Sequence, residues 1–406
     1  MQSYALISTL VGAIVLAFLF GIAAKRAKLP PILGYLLAGV AIGPFTPGFV
    51  GDPSLAPQLA EIGVILLMFG VGLKFSVQDL WAVRGVAIPG AIVQMLAATG
   101  LGYGLGLMIG LPAAESLMLG LSLSVASTVV LLRALEDRGL LKSENGRICI
   151  GWLVVEDLAI VLAIVVLPAA LTAMQGDGAA IDYGAVGLSV AIALGKVIAF
   201  AALMLIVGAR VFPWFILRVA HMKSRELMSL GTLAIALGLA YAAYAWFDAS
   251  FALGAFLAGL ALNGSRVSHR IAEDSLPLRD TFAVLFFVSV GMLFDYRVLI
   301  EHPLPVIGVA AIVIIGKSLA ALIITTLFKL PLRTGVLIAA SLAQIGEFSF
   351  ILAAIGQKLG VVSGFSYNLM LAAALISIAV NPFLFSLAEG KTPPADEGAA
   401  KPIPQT

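Results

Sequence analysis

Long apolar stretches separated by short polar segments recur along the whole chain. Thirteen of them are long enough, or nearly long enough, to cross a bilayer as helices. The predicted spans are residues 4–24, 32–44, 59–75, 86–110, 116–135, 148–171, 184–208, 226–246, 249–263, 281–294, 304–328, 334–356 and 365–388. The second, ninth and tenth stretches are short, so helices that are tilted or extended by neighbouring residues are expected there. The pattern predicts an all-α integral membrane protein with about 13 transmembrane helices.

Three short stretches of the first half of the chain return in the second half, in the same order and 219 or 220 residues later. The pairs are GYLLAGVAIG (34–43) with GAFLAGLALN (254–263), VGLKF (71–75) with VGMLF (290–294), and SLSVASTVVLL (122–132) with SLAQIGEFSFI (341–351). Seven predicted spans separate equivalent helices, so the two copies have opposite orientations. Such an inverted repeat is typical of secondary transporters, whose site lies near the midplane between the repeats.

The membrane domain is predicted to comprise residues 1–388. Its repeats cover about 4–173 and 226–388, and a linker helix at about 184–221 joins them. The remaining residues, 389–406, are rich in proline and polar residues, and we expect them to form a disordered tail.

The composition supports this class and excludes others. Hydrophobic residues make up 61% of the chain and charged residues only 11%, whereas about a quarter of a soluble domain is charged. The net charge of +2 and the lack of a basic patch argue against a nucleic-acid partner. One cysteine and three scattered histidines favour neither a disulfide nor a metal cluster, so no cofactor is predicted.

The basic residues set the predicted orientation of the chain. With these spans, 20 of the 24 Lys and Arg residues fall on one side of the membrane, which is typical of the cytoplasmic side. The first span is followed, not preceded, by basic residues, the reverse of a cleavable signal peptide. We therefore expect a retained first span, an N-terminus outside and a C-terminus in the cytoplasm.

Two adjacent acids, Glu156 and Asp157, lie in the middle of the sixth span. Ionised acids inside the hydrocarbon region are costly and usually functional. Their side chains point about 100° apart on a helix, so both can flank one cleft. Two such carboxylates repel each other, and the site can hold a proton at one time and a dehydrated cation at another. A purely structural acid pair is disfavoured because packing alone does not offset that cost.

Further charges inside the spans are Lys317, Glu347 and Lys196. Lys317 lies too centrally to reach the membrane surface, so it needs a counter-charge, for which Glu156 or Asp157 is the obvious partner. A structural ion pair alone is the alternative for Lys317. The role of Lys196 stays open between a partner for Glu347 and a neighbour of the site.

The repeated stretches SLSVASTVV and SLAQIGEFSF place small and polar residues in the middle of the membrane. The candidate residues are Ser127, Thr128, Gln344, Gly346 and Glu347. Such residues suit helices that are broken near their centres, whose freed carbonyls and dipole ends line a cavity and can help to bind a cation. Close packing of small residues would explain the serines, but not Gln344 and Glu347 together.

Several segments resemble one known family. They are LGYLLAGVAIGPFTPG, LAEIGVILLMFGVGLKFS, SVASTVVLLRALEDRG, GWLVVEDLAIVL, FALGAFLAGLALN, FAVLFFVSVGMLFD, GKSLAALI and SLAQIGEFSFILA. The chain is similar to Kef-type members, of the YbaL-like branch, of the monovalent cation:proton antiporter-2 family. This resemblance covers all thirteen spans. It implies the sodium/proton antiporter fold, with a core domain that holds two crossed broken helices, the fifth and twelfth spans, and a panel domain that makes a homodimer.

The resemblance also implies roles for individual residues. The ion-binding aspartate of the family falls on Asp157, which would bind the monovalent cation or a proton. The preceding residue is Glu156, where relatives have Asp, Asn or Gln. The lysine that pairs with that first acid in some relatives falls on Lys317. The broken-helix residues fall on Ser127, Thr128 and the stretch from Gln344 to Glu347.

The expected function is therefore secondary active exchange of K⁺ or Na⁺ for H⁺ by alternating access, in the inner membrane of a bacterium. The alternative is a gated K⁺ efflux channel of the Kef type. Sodium-coupled solute uptake is weaker because no buried arginine is evident. An enzyme, such as an intramembrane aspartyl protease, is not expected because the two acids are sequence neighbours that point apart.

Kef-type proteins usually carry a nucleotide-binding domain after the membrane part. The resemblance therefore leaves open a separate cytosolic regulatory domain or subunit as a partner.

Overall fold

A computed structural model describes residues 5–74, 77–136, 139–140, 143–174, 183–247, 249–263 and 268–389, and all regular elements within these ranges are helical. The helices are α1 Ala5–Arg26, α2 Pro31–Ile42, α3 Ala56–Lys74, α4 Val77–Met108, α5 Ala113–Ser124, α6 Thr128–Glu136, α7 Glu144–Met174, α8 Tyr183–Leu203, α9 Ala209–His221, α10 Arg225–Phe247, α11 Phe251–Leu262, α12 Ser268–Met292, α13 Val298–Glu301, α14 Pro303–Ala311, α15 Lys317–Leu327, α16 Leu332–Leu342, α17 Glu347–Lys358 and α18 Gly364–Glu389. π-helical turns at Met204–Gly208 and Ile312–Gly316 join α8 to α9 and α14 to α15. The predicted disordered tail lies outside the described residues from 390 onward.

The thirteen predicted spans all coincide with helices or with consecutive helix pairs. In the described part of the chain, seven helices are long and apolar enough to cross a membrane, and the bent pair α16–α17 makes an eighth. Three more spans fall on the shorter apolar helices α2, α5 and α11, and the last two on α7 and α12. The short tenth span, 281–294, is extended by neighbouring residues as expected, because α12 begins at Ser268. Its first three turns are polar, and a hydropathy pattern does not detect a helix there.

Prolines begin equivalent helices in the two halves of the chain. Pro112 directly precedes α5 and Pro331 directly precedes α16, again 219 residues apart. Proline is suited to the residue before a helix because it has no amide hydrogen to leave unpaired there. Helices thus begin at equivalent residues in the two halves of the chain.

Two close helix crossings depend on glycine. A Cβ atom at Gly39 of α2 would collide with the backbone of α12 at Val288 and approach Gly291. A Cβ atom at Gly72 of α3 would collide with the backbone of α11, next to Gly259. Gly39 and Gly259 are equivalent positions of the repeat, as are Gly72 and Gly291. The two crossings are therefore related by the repeat, and in both the backbones approach because neither helix has a side chain between them.

The helices form two groups. In the panel group, α3 packs on α11 and α12, α2 packs on α1 and α12, and α10 packs on α11. In the core group, α4 packs on α5 and α7, and α16 packs on α15 and α18. The continuous helical stretch 183–221 runs between the two groups in the sequence. Cys149, the only cysteine of the sequence, is completely buried in α7.

Candidate ion-binding site

The two helices predicted to be broken are interrupted at equivalent positions. The first pair, α5 and α6, is separated by residues 125–127, and the second pair, α16 and α17, by residues 343–346. Both second halves begin at repeat-equivalent residues, Thr128 and Glu347. The axes of α16 and α17 differ in direction by 40°.

The two interruptions touch each other directly. The amide of Gly346 donates a hydrogen bond to the carbonyl oxygen of Val125 at 3.1 Å. Gln344 donates from Nε2 to the carbonyl oxygen of Ser127, also at 3.1 Å. Glycine is required at position 346, because a Cβ atom there would lie 2.5 Å from the carbonyl oxygen of Ala126. These contacts define the crossing, by which we mean residues 125–128 and 343–347.

Near the end of each first half-helix, a side chain from outside the crossing donates a hydrogen bond to a backbone carbonyl. Gln94 of α4 donates from Nε2 to the carbonyl oxygen of Ser124, at the end of α5, at 3.2 Å. Lys317 donates from Nζ to the carbonyl oxygen of Gln344, just beyond the end of α16, at 2.9 Å. A helix C-terminus carries partial negative charge, so a donor is stabilising in both places and an ammonium group more so.

Glu156 and Asp157 of α7 both face the first interruption. The amide of Ala126 donates to Oε2 of Glu156 at 2.9 Å. The hydroxyl of Thr128 donates to Oδ2 of Asp157 at 2.7 Å. Both acids are buried, with exposed fractions of 0% and 6%. The adjacent carboxylates thus lie along the same short piece of backbone, as their 100° separation on a helix allows.

A third carboxylate, that of Glu347, reaches the same place from the second repeat. It is 2% exposed, and its Oε2 accepts a hydrogen bond from the hydroxyl of Ser127 at 2.8 Å. Its donor, Ser127, is the neighbour in sequence of Thr128, which donates to Asp157. In the described part of the chain, however, no three acidic, histidine or cysteine side chains converge closely enough to form a metal cluster.

Buried oxygen atoms without a hydrogen-bond donor collect at this crossing. In the described structure they include Oε1 of Glu156, Oδ1 of Asp157, Oε1 of Gln344 and Oε1 of Glu347. A buried acceptor without a partner costs about 1–3 kcal/mol, and more when it is charged. Four such atoms in one region provide places for a proton, a water molecule or a cation.

Lys317 is completely buried at the end of the π-helical turn, and its charge interacts with that of Glu156. Its ammonium group nevertheless lies more than 4.0 Å from every carboxylate in the described structure. Its hydrogen bond goes instead to the carbonyl oxygen of Gln344. The interaction between Lys317 and Glu156 is therefore electrostatic and not a direct contact. Extra-residue turns of this kind are frequent at functional sites.

The structure brings all the predicted site residues together at the crossing: Glu156, Asp157, Lys317, Ser127, Thr128, Gln344, Gly346 and Glu347. Sequence reasoning missed three supporting residues. Besides Gln94, they are Ser377, whose hydroxyl accepts from the amide of Ile345 at 3.3 Å, and Asn381, which donates to the carbonyl of Ala340 at 2.8 Å. All three are polar residues within predicted spans, and this property could have identified them from the sequence.

A separate cavity of about 1210 Å³ opens between the panel group and the core group. Its wall includes Lys196, Ile164 and Phe350, and an ion pair between Glu61 and Lys358 (3.4 Å) lies along it. None of the acids at the crossing lines this cavity. Ile164 lies about two helical turns beyond Asp157 on α7. Lys196 thus belongs to the cavity wall and not to the crossing.

Comparison with protein families gives one match that covers nearly the whole chain. The family described as "Sodium/hydrogen exchanger, transmembrane" matches residues 14–388.

Two curated relatives are similar over most of the chain. One is the "Putative cation/proton antiporter YbaL" of Escherichia coli (strain K12), which is 56% identical over 385 residues; these make up 95% of this chain and 68% of that protein. The other is "K(+) efflux antiporter 4" of Arabidopsis thaliana, which is 34% identical over 384 residues, or 94% of this chain and 64% of that protein. This chain thus spans about two thirds of the length of these relatives.

A solved structure of a sodium proton antiporter from Methanocaldococcus jannaschii at pH 8 has a TM-score of 0.73 with this chain. The match covers 96% of this chain and 99% of that one, at 18% sequence identity. At this identity the likeness shows the fold alone, and it confirms the antiporter fold predicted from the sequence.

Proposed function

The chain belongs to the sodium/hydrogen exchanger family, and from this premise we propose that it exchanges a monovalent cation, K⁺ or Na⁺, for protons by alternating access. The observation that carries the proposal is the group of buried carboxylate and amide oxygens without a donor at the crossing. Such oxygens are suited to a dehydrated monovalent cation in one state and a proton in another. The relatives named for cation/proton exchange and K⁺ efflux agree with this substrate class.

Asp157 is proposed to bind the cation and the proton in turn. It has one oxygen held by Thr128 and one that is buried and free to accept. Glu156 is proposed to stay ionised, because the amide of Ala126 donates to it and the buried ammonium group of Lys317 is bound at the same crossing. In this assignment one acid carries the exchanged ion and its neighbour keeps the local charge balanced.

The cavity between the helix groups is proposed to be the route to one side of the membrane. Ile164 and Phe350 lie in its wall on the helices that carry Asp157 and Glu347. Movement of the core group against the panel group would open and close this route. The basic-residue pattern supports an N-terminus outside and a C-terminus in the cytoplasm. We propose the inner membrane of a bacterium as the location. We also propose a homodimer through the panel group and, because the relatives are longer, regulation by a further cytosolic domain or subunit.

The proposal is tested by proton flux in proteoliposomes that contain the purified chain. K⁺ and Na⁺ pulses should release protons from the wild type. Asp157→Asn should lower the exchange rate by about 100-fold or more, the range for losing a proton-transferring group. The control is Glu115→Gln: Glu115 is also a buried acid, but it lies at the start of α5, where its Oε1 accepts from the amide of Ser363 at 2.8 Å. Exchange at the wild-type rate in Asp157→Asn would refute the proposal, and cation flux far above carrier rates without proton coupling would favour a channel.

A further inference from the structure

Glu347 occupies a place that its role in the helix break does not explain. It is the first residue of α17 and is almost completely buried. One oxygen accepts from the hydroxyl of Ser127, and the other has no donor in the described structure. A carboxylate at a helix N-terminus is stabilised by the helix dipole, and this effect alone would account for an exposed glutamate there. Burying it with one oxygen unpaired adds a cost that the dipole effect does not require.

Adjacent residues hold Glu347 and Asp157. Ser127 donates to Glu347 at 2.8 Å, and the next residue, Thr128, donates to Asp157 at 2.7 Å. Each carboxylate keeps its second oxygen buried and unpaired. The start of α6 therefore presents side by side one acid from each half of the inverted repeat, with matching unsatisfied atoms.

The buried ammonium group does not compensate this pair. Lys317 donates its hydrogen bond to the carbonyl oxygen of Gln344 and not to either of these acids. Within the described residues, neither Asp157 nor Glu347 has a basic side chain within 4.0 Å. Two like charges in a buried site of this kind are not both ionised without a cation.

On the basis of the function proposed above, we propose that Glu347 is a second ion-binding carboxylate and that the exchanged ion is shared between Asp157 and Glu347. Without a cation, the pair retains one proton. When K⁺ or Na⁺ enters, both carboxylates ionise around it and that proton leaves to water, so one positive charge replaces another. The crossing then joins the two halves of the repeat through the ion itself.

The test compares Glu347→Gln, Glu347→Asp and the control Glu115→Gln in the same proteoliposomes. Glu347→Gln removes one cation ligand and one repelling charge. The apparent KM for the cation should therefore rise about tenfold or more, and the acid limb of the pH–rate profile should move to lower pH by about one unit or more. Glu347→Asp keeps the negative charge but has a shorter side chain. Its pH–rate profile should therefore stay closer to that of the wild type than its KM does. The control should change neither quantity.

A structural role for Glu347 would instead lower the amount of folded protein and the maximal rate, and would leave the KM and the pH profile of the folded fraction unchanged. That result in Glu347→Gln overturns the inference. If Glu347→Gln does not fold, the inference is equally overturned when Glu347→Asp has the KM and the pH profile of the wild type.

The proposed function fails separately, when the wild type and Glu115→Gln show no exchange. In that case thermal unfolding in detergent, with and without the cation, still tests whether Glu347 binds the ion. The cation should raise the unfolding midpoint of the wild type, and this rise should be lost in Glu347→Gln or weakened in Glu347→Asp. An equal rise in both variants would contradict the inference.

Discussion

The two broken helices have nearly the same backbone and very different chemistry. Both follow a proline, both stop after about three turns, and their second halves begin at equivalent residues. The first interruption, Val125 to Ser127, is neutral and ends in Thr128, whereas the second contains Gln344 and ends in Glu347. The repeat thus supplies the geometry twice, and the charges needed for exchange are distributed unequally over it.

The residues that cap the first half-helices show the same inequality. The carbonyl of Ser124 at the end of α5 receives an amide hydrogen from Gln94, and the carbonyl of Gln344, two residues beyond α16, receives an ammonium hydrogen from Lys317. The donor at the first break is thus neutral, although Glu156 and Asp157 face that break. The charged donor is found in the half that also contributes Glu347, and its charge balances that of Glu156.

The largest effect is expected when the charged donor at the second break, Lys317, is replaced by a neutral amide like that of Gln94 at the first break. Lys317→Gln keeps a donor for the carbonyl of Gln344 but leaves the buried carboxylate of Glu156 without its compensating charge. Loss of one partner from a buried charged group typically costs about 3–5 kcal/mol. Gln94→Leu removes one neutral hydrogen bond and should cost about 1 kcal/mol. The thermal unfolding midpoints of both variants in detergent measure the difference, and equal losses would contradict the unequal roles.

An intermediate effect is expected at the point where the breaks touch. Gly346→Ala places a methyl group against the carbonyl of Ala126, whereas the equivalent position, Ser127, already carries a side chain. Overpacking of this kind costs about 1–3 kcal/mol and here would displace the site, so exchange should fall to background. Gly238→Ala in α10 is the matched control, because a Cβ atom there meets nothing within 4 Å. Unchanged proton flux in Gly346→Ala would show that the two breaks need not be in contact.

The smallest effect is expected at the far end of α17. Lys358 pairs there with Glu61 of α3, whereas the equivalent residue of the first half is Gly139. Both side chains are at least 40% exposed, and such pairs contribute at most about 1 kcal/mol. Glu61→Gln should therefore change the unfolding midpoint little and alter the exchange rate less than fivefold. A loss as large as that of Asp157→Asn would show that this ion pair controls opening of the cavity.

Much of this arrangement could be predicted from the sequence, because its signals are local. The helices, the repeat and the broken stretches follow from hydropathy, from an offset of 219 and from small residues in the middle of spans. The partners of Lys317 and Glu347 could not be predicted in the same way. Which atom a buried side chain reaches depends on how the interrupted backbones cross, and this is set by packing such as the contact of Gly346 with Ala126. Sequence reasoning joined Lys317 to an acid, whereas its hydrogen bond goes to a carbonyl.

The complete burial of Cys149, the only thiol in the sequence, makes the chain convenient for labelling. Thiol reagents attack accessible thiolates, so the natural protein should give almost no background with a water-soluble maleimide. A cysteine introduced at Ala354, in the wall of the cavity, would then report solvent access at that wall alone. Its labelling rate, followed while the cation and the pH are varied, turns a carrier cycle that is otherwise seen only as flux into a directly observable opening and closing.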